Sequence, residues 1–84
     1  MRVSLRVGQT KQQRSWQQAR NVQFRAREGR ENLRVSFNRS KGVEITGVKP
    51  GTTVFQARGE RPQTVGGRTR WESVIYTYDV TVTE

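Results

Sequence analysis

The feature that most constrains this fold is a period-two alternation of side chains in the second half of the chain. Residues 43–57 read VEITGVKPGTTVFQA, and residues 74–83 read VIYTYDVTVT. In both runs, mainly β-branched and aromatic residues recur at every second position, and turns that contain glycine bound the runs. This pattern is typical of half-buried β-strands, so it predicts paired strands rather than a catalytic site.

The same alternation recurs in the first half of the chain, interrupted by turn signals at Gly8, Gly29 and Gly42. Seven short alternating segments predict an all-β protein, an antiparallel β-sandwich of about seven short strands. Because 84 residues support one hydrophobic core, we expect a single domain over residues 1–84. The side chains predicted to face the core are Val3, Leu5, Val7, Val22, Phe24, Ala26, Leu33, Val35, Phe37, Val43, Ile45, Thr53, Phe55, Ala57, Val74, Tyr76, Tyr78, Val80 and Val82.

Residues 11–20 form the least regular segment, which is Gln-rich and polar except for Trp16 and Ala19. Its composition and a cap at Thr10 suit a short helix, whereas a strand anchored by Trp16 suits a sandwich. We favour the strand and keep the helix as the alternative.

Two glycine-containing segments in the second half are predicted to be turns or loops. Pro50 presets φ and Gly51 supplies a positive φ, which predicts a tight turn between two strands. Residues 59–70 contain Pro62, two consecutive glycines and no apolar residue except Val65. That composition predicts an exposed loop or the tip of a long hairpin.

Positive charge is concentrated in the first third of the chain. The net charge is +9, and residues 1–34 hold nine of the 16 basic side chains against two glutamates. Arginine, which predominates over lysine, suits bidentate contacts with phosphate or carboxylate. We expect a basic patch on the outward faces of neighbouring strands, extended by arginines in adjacent loops. The strand residues of the patch are Arg2, Arg6, Arg25, Arg27 and Arg34, and the loop residues are Arg14, Arg20 and Arg30. Such a patch indicates either a docking surface for a polyanion or a solvated face that charge protects from edge-to-edge aggregation.

A second candidate site lies in residues 58–72, where Arg61, Arg68, Arg70 and Trp71 are close in sequence. Arginine and tryptophan are enriched at interfaces, and loops at the ends of sandwiches often carry recognition. The alternative is a mobile hairpin tip with locally paired charges. A site for single-stranded nucleic acid would also need exposed aromatic rings between the arginines, and only Trp16 and Trp71 are candidates.

Several kinds of chemistry have no residues to support them. The chain has no Cys and no His, which excludes disulfides, thiolate nucleophiles and zinc-thiolate sites and removes the commonest general base. Glu60 and Glu72 are the one carboxylate pair worth considering, but neighbouring arginines would lower their pKa values. We therefore expect no enzymatic activity, no cofactor and no metal site. No apolar run is long enough to span a membrane, and a strand-like segment rather than a signal peptide follows Met1.

Three stretches resemble the bacterial immunoglobulin-like domain, group 2. These are VSLRVGQTK at 3–11, ITGVKPGTTVFQA at 45–57 and YDVTV at 78–82, while NVQF at 21–24 fits the third strand with Phe24 in place of the usual Trp. The turn and closing strand also resemble the N-terminal domain of pilus-assembly secretins. The chain departs from the pattern in its polar second strand, its basic segment before Leu33 and its long loop before Trp71.

This resemblance implies an immunoglobulin-like fold and a non-enzymatic structural or binding module. The module would belong to a bacterial cell surface or a virion, as part of a larger assembly. Its partner is indicated by the basic patch instead, as an acidic protein surface or a polyanion such as a glycan, lipopolysaccharide or nucleic acid. The alternative from a different functional class is a stand-alone, basic nucleic-acid-binding β-domain.

Overall fold

A computed structural model describes residues 1–84 and is nearly all β, which confirms the predicted class. Two single-turn 3-10 helices, Arg14–Trp16 and Arg30–Asn32, are its helical segments. The last two strands are 15 and 16 residues long, so the expectation of uniformly short strands is wrong. The strands are β1 (Arg2–Arg6), β2 (Thr10–Gln13), β3 (Arg20–Glu28), β4 (Leu33–Asn38), β5 (Gly42–Gly47), β6 (Gly51–Val65) and β7 (Arg68–Thr83).

The strands form two sheets. One has the order β1-β7-β6-β3 and the other has the order β2-β5-β4. All neighbours are antiparallel except β1 and β7, which are parallel, so the prediction of a wholly antiparallel arrangement is wrong at this edge. The parallel pairing places the start of the chain beside its end, where the Met1 ammonium donates a hydrogen bond to the Thr77 carbonyl at 2.9 Å.

The core follows from the alternation, since every second side chain of the central strands is buried. In β6 and β7 the ring of Phe55 stacks on that of Tyr78 with centroids 5.0 Å apart. Most predicted core positions are buried or half-buried, but two are not. Val7 lies beyond the end of β1 and is 45% exposed, and Phe24 lies on the edge strand β3 and is 36% exposed.

The irregular segment 11–20 contains both a strand and a helical turn. The strand β2 covers its first part, and a 3-10 turn then carries Trp16 into the core, where the indole is fully buried. The indole nitrogen of Trp16 donates a hydrogen bond to the Tyr78 hydroxyl at 2.8 Å. This bond satisfies the ring N–H, which would otherwise be buried without a partner. The favoured strand is therefore confirmed only for the first part of the segment, and Trp16 lies in a helical turn rather than in the strand.

The turn between β5 and β6 is fixed by contact with the connection between β3 and β4. The backbone N–H groups of Val48 and Lys49 both donate to the Asn32 carbonyl, at 2.8 and 3.3 Å. Gly51 has a φ of 150°, as the sequence predicts, and a Cβ added there would lie 2.5 Å from the Asn32 side-chain nitrogen. Both conformation and space therefore require glycine at this position.

The hairpin of β6 and β7 extends well past the other strands, in a molecule that measures 47 × 22 × 17 Å. It ends in a two-residue turn, Gly66-Gly67, whose φ values of 58° and 76° are those of a type I′ turn. Pro62 is tolerated because β6 has no third strand beside it at this point. Of the two predictions for residues 59–70, the hairpin tip is confirmed and the loop is wrong.

Candidate functional site

The most distinctive surface is the free end of the long hairpin, which we call the arm (Arg61–Glu72). β3 pairs with β6 only as far as Glu60, so the five residue pairs beyond it are supported by no third strand. At about 3.4 Å per residue, the arm projects about 17 Å. It is a narrow two-stranded ribbon, open to solvent along most of its length.

One face of the arm continues the core-facing side of the sheet. Directly paired residues project to the same face; Phe55 and Tyr78 lie in the core, and Gly59, the partner of Val74, lies against the Trp16 ring. Past that point the same face carries charged and polar groups, because no second sheet covers it. We call this the inner face of the arm; its residues are Arg61, Gln63, Val65, Arg68, Arg70 and Glu72.

A polar concavity of about 520 Å³ lies where the arm meets the body of the molecule, and we call it the niche. It is lined mainly by the side chains of Arg14, Gln17, Gln18, Arg61 and Gln63, together with Ser15 and Pro62. The Arg61 guanidinium lies 5.4 Å from the centre of the Tyr76 ring and donates to the Ser15 carbonyl at 3.5 Å. These contacts hold Arg61 at the junction between arm and body.

The other wall of the niche is held by hydrogen bonds to the turn between β4 and β5. The Gln17 side chain donates to the Ser40 carbonyl at 2.9 Å, and the Gln18 backbone N–H donates to the Arg39 carbonyl at 2.8 Å. Gln18 also has a positive φ of 64°, which the surrounding contacts maintain. The niche is therefore formed by anchored backbone on one side and by the arm on the other.

The opposite face at the base of the arm is occupied by an ion pair and a stacked ring. Arg20 donates to the Glu60 carboxylate at 3.2 Å, and its guanidinium lies 3.8 Å from the centre of the Trp71 ring. Asn21 donates to the same carboxylate oxygen at 2.8 Å. The hydrogen bond from Asn21, and then that from Arg20, lower the pKa of Glu60 below its ordinary value of 4.5. Glu60 is thus ionised at neutral pH, and its charge is compensated by Arg20.

The predicted single patch of strand arginines is not formed. Arg2 and Arg6 lie on β1, whereas Arg25 and Arg27 lie on β3, and these strands are opposite edges of one sheet. With β7 and β6 between them, the two edges are about 14 Å apart. Arg34 lies on β4 in the other sheet. The placement on neighbouring strands is therefore wrong, because alternation determines the face of a side chain but not the order of the strands.

Part of the predicted patch does remain together at the β3 edge. Arg25 and Arg27 line a shallow groove with Gln56, the residue that pairs with Arg25. Arg58 is exposed two residues further along β6, on the diagonal from Arg25. This smaller cluster lies on the outer face of the four-stranded sheet and is separate from the niche.

The predicted arm residues are brought together, but the aromatic candidates are not available as bare stacking platforms. Arg61, Arg68 and Arg70 share the inner face of the arm. Trp71 lies on the opposite face beneath Arg20, and Trp16 is buried in the core. No aromatic side chain is interleaved with the arginines of the inner face.

The two glutamates considered as an acid/base pair do not face each other. Glu60 pairs with Ser73 on one face of the ribbon, and Glu72 pairs with Arg61 on the other. Glu72 instead accepts a hydrogen bond from the Gln63 side chain. The arrangement therefore provides no carboxylate couple across a shared substrate space.

The niche is not predicted by the sequence pattern. That pattern predicts Arg14 only as a loop residue and does not predict Gln17, Gln18 or Gln63 as site residues. A usable signal exists for the arm side, since the alternation that buries Phe55 and Ala57 continues in register to Arg61 and Gln63. No comparable signal places Arg14 beside them, because that contact depends on the 3-10 turn.

The structure contains no helix with the length and apolar character that crossing a membrane requires. It also contains no group of three or more Asp, Glu, His or Cys side chains arranged to hold a metal ion. Comparison with known proteins found no matching family model, no matching curated protein and no matching solved structure.

Proposed function

We propose that this chain is a non-enzymatic binding module that presents the arm and the niche to a polyanionic partner. The observation that carries the proposal is the arm itself, a ribbon with three arginines on one face that projects past both sheets and meets a fourth, Arg14, at its base. Fixed guanidinium groups around a concave polar surface favour anions through charge-assisted hydrogen bonds. Of these four side chains, Arg61 is held in place by contacts within the chain, with the Tyr76 ring and the Ser15 carbonyl.

We propose further that the fold is immunoglobulin-like. The third, sixth and seventh strands form one sheet, and the second, fifth and fourth form the other. In immunoglobulin domains strands C, F and G share a sheet opposite B, E and D, so the strand order supports this assignment. Together with the sequence resemblance, it favours a module of a bacterial surface structure or a phage particle, where such domains serve as rigid supports.

Heparin chromatography in a salt gradient tests whether the arm is a binding site or only part of a positive surface. The test variant combines Arg68→Gln with Arg70→Gln, and the matched control combines Arg2→Gln with Arg6→Gln at the far edge strand. Both lose two charges at exposed positions, where substitutions change stability by less than about 0.5 kcal/mol. We expect the arm variant to elute at distinctly lower salt than the control.

Equal shifts of the two variants would contradict the proposal, because retention would then depend on net charge alone. A third variant, Arg25→Gln with Arg27→Gln, tests the cluster that remains at the β3 edge. If this variant shifts as far as the arm variant, the binding surface includes the outer face of the sheet, as the sequence analysis expected. If it elutes with the control, the arm and the niche are the site.

A further inference from the structure

We infer that the polyanion is B-form duplex DNA and that the arm enters its major groove. This inference rests on the proposed function and narrows it to one partner. The major groove is about 12 Å wide and about 8.5 Å deep and admits a two-stranded β-ribbon. The arm consists of two strands about 4.8 Å apart and projects about 17 Å, so it fits the width of the groove and exceeds its depth.

The positions of the arginines divide the contacts into two kinds. Arg68 and Arg70 lie at the tip, two residues apart on one strand and on one face. In an arm that enters the groove tip first, they are the arginines nearest the groove floor. Arginine pairs in a bidentate manner with the O6 and N7 atoms of guanine, so these two side chains reach the base edges.

Arg14 and Arg61 lie at the base of the arm, where the niche opens beside the ribbon. Because the arm is longer than the groove is deep, its base stays outside the groove, where it faces the sugar-phosphate backbone on either side. The guanidinium groups of Arg14 and Arg61, together with the side-chain amides of Gln17 and Gln18, are suited to phosphate oxygens. Contacts of this kind position the protein on the duplex.

Other partner classes fit the arm less well. Single-strand binding uses aromatic rings as stacking platforms, but Trp16 is buried and Trp71 is covered by Arg20. A stable protein interface is built around a desolvated apolar centre, and Val65 is the single apolar side chain on the inner face of the arm. The major groove of duplex RNA is too narrow for side chains to read.

The experiment measures binding of the purified chain to a short DNA duplex, the matching RNA duplex, the DNA single strand and heparin, all at physiological ionic strength. We expect the DNA duplex to bind most tightly. Dimethyl sulfate methylates guanine N7 in the major groove and adenine N3 in the minor groove, so the bound duplex should show protection at N7 alone. Arg68→Gln with Arg70→Gln should abolish that protection and weaken binding at least about fivefold for each arginine.

A different measurement tests the contacts at the base of the arm. A plot of log affinity against log salt concentration has a negative slope. Arg14→Gln should make that slope less steep by about 0.9, the value for one lost phosphate contact. The control pair, Arg2→Gln with Arg6→Gln, should retain the N7 protection.

Three results would overturn the inference: equal binding of RNA or single strands, protection of N3 instead of N7, or N7 protection that survives loss of the arm arginines. If heparin binding nevertheless depends on the arm, the proposed function stands and only the assignment to duplex DNA fails. If heparin binding does not depend on the arm either, both fail.

Discussion

The two halves of the β6–β7 hairpin share one pairing register, but the same face carries buried, mainly apolar side chains in one half and mainly charged or polar side chains in the other. In the half near the chain end, the face toward the second sheet carries Phe55, Tyr78 and Val80, all buried. In the arm, the same face carries arginine and glutamine. The change occurs past Gly59 and Val74, where Gly59 still lies against the buried Trp16 ring. Coverage by the core, rather than strand geometry, therefore determines whether this face is buried or exposed.

The comparison implies that substitutions in the covered half change stability, whereas those in the arm leave it nearly unchanged. Burial of a large apolar side chain contributes roughly 1.5–3 kcal/mol, and an exposed charge contributes little to stability. The arm can therefore vary in sequence without loss of the fold. Predictions at three sites test this separation, in order of decreasing effect on the free energy of unfolding.

The largest effect is expected at the two glycine turns, which lie at opposite ends of β6. Gly51→Val should destabilise the fold by about 2–5 kcal/mol, because the side chain adds backbone strain and overlaps Asn32. Gly66→Asn at the arm tip should change stability by less than about 0.5 kcal/mol, since Asn-Gly is a favoured type I′ pair and the site is open. Urea unfolding of both variants measures the difference. Unchanged stability of Gly51→Val would mean that the Asn32 contact does not constrain this turn.

Much of this architecture is predictable from alternation, because a strand with one buried face reveals that face in its sequence. Alternation does not determine which strands lie next to each other in a sheet. Arg2 and Arg25 both alternate correctly, yet they lie at opposite edges of a sheet whose order depends on long-range pairing. The burial of Trp16 is equally non-local, since its hydrogen-bond partner, Tyr78, is 62 residues away.

The arm was difficult to predict for a different reason. A strand that no sheet covers has no apolar face, so its alternation of arginine and glutamine with polar residues looks like a loop. The niche requires two such segments to meet, the 3-10 turn at Arg14 and the strand at Gln63. Neither segment has an apolar pattern that would place it, and only the three-dimensional arrangement relates them.

An intermediate effect is expected from removal of the buried hydroxyl of Tyr78. Tyr78→Phe leaves the Trp16 N–H buried without its acceptor, which should cost about 1–3 kcal/mol in the free energy of unfolding. Tyr76→Phe is the matched control, because this ring is only half-buried and its hydroxyl makes no hydrogen bond in the structure. Chemical denaturation of the pair measures the contribution of the Trp16–Tyr78 hydrogen bond. Equal stabilities of the two variants would show that this bond adds nothing to the covered half.

The Tyr78 hydroxyl also predicts a pH dependence. Burial raises the pKa of Tyr78 above its ordinary value of 10.0, against a smaller lowering by the hydrogen bond from Trp16. Above that pH the unfolded chain loses the proton while the folded chain keeps it, so stability should fall as the pH rises through this range. Tyr78→Phe should remove this part of the alkaline destabilisation, and Tyr76→Phe should retain it.

The smallest effect on stability is expected at the base of the arm, where the two regions meet. Hydrogen bonds from Asn21 and Arg20 lower the pKa of Glu60, so their stabilising contribution is present above about pH 4.5 and is lost as the pH falls through the lowered value. Arg20→Gln should therefore reduce the difference between the melting temperature at neutral pH and that at acid pH. Arg68→Gln, which removes an equal charge at the tip, should leave this difference the same as in the unaltered chain.

This last comparison separates a local interaction from the general repulsion among positive charges. Both substitutions lower the net charge by one, so relief of repulsion should affect their melting temperatures to a similar extent. Only Arg20→Gln removes a partner of Glu60 and the cation that covers Trp71. If the melting temperatures of the two variants show the same pH dependence, the Arg20–Glu60 ion pair does not stabilise the base of the arm. A difference would show that specific contacts hold the base of the arm, whereas the charge at its tip has no such role.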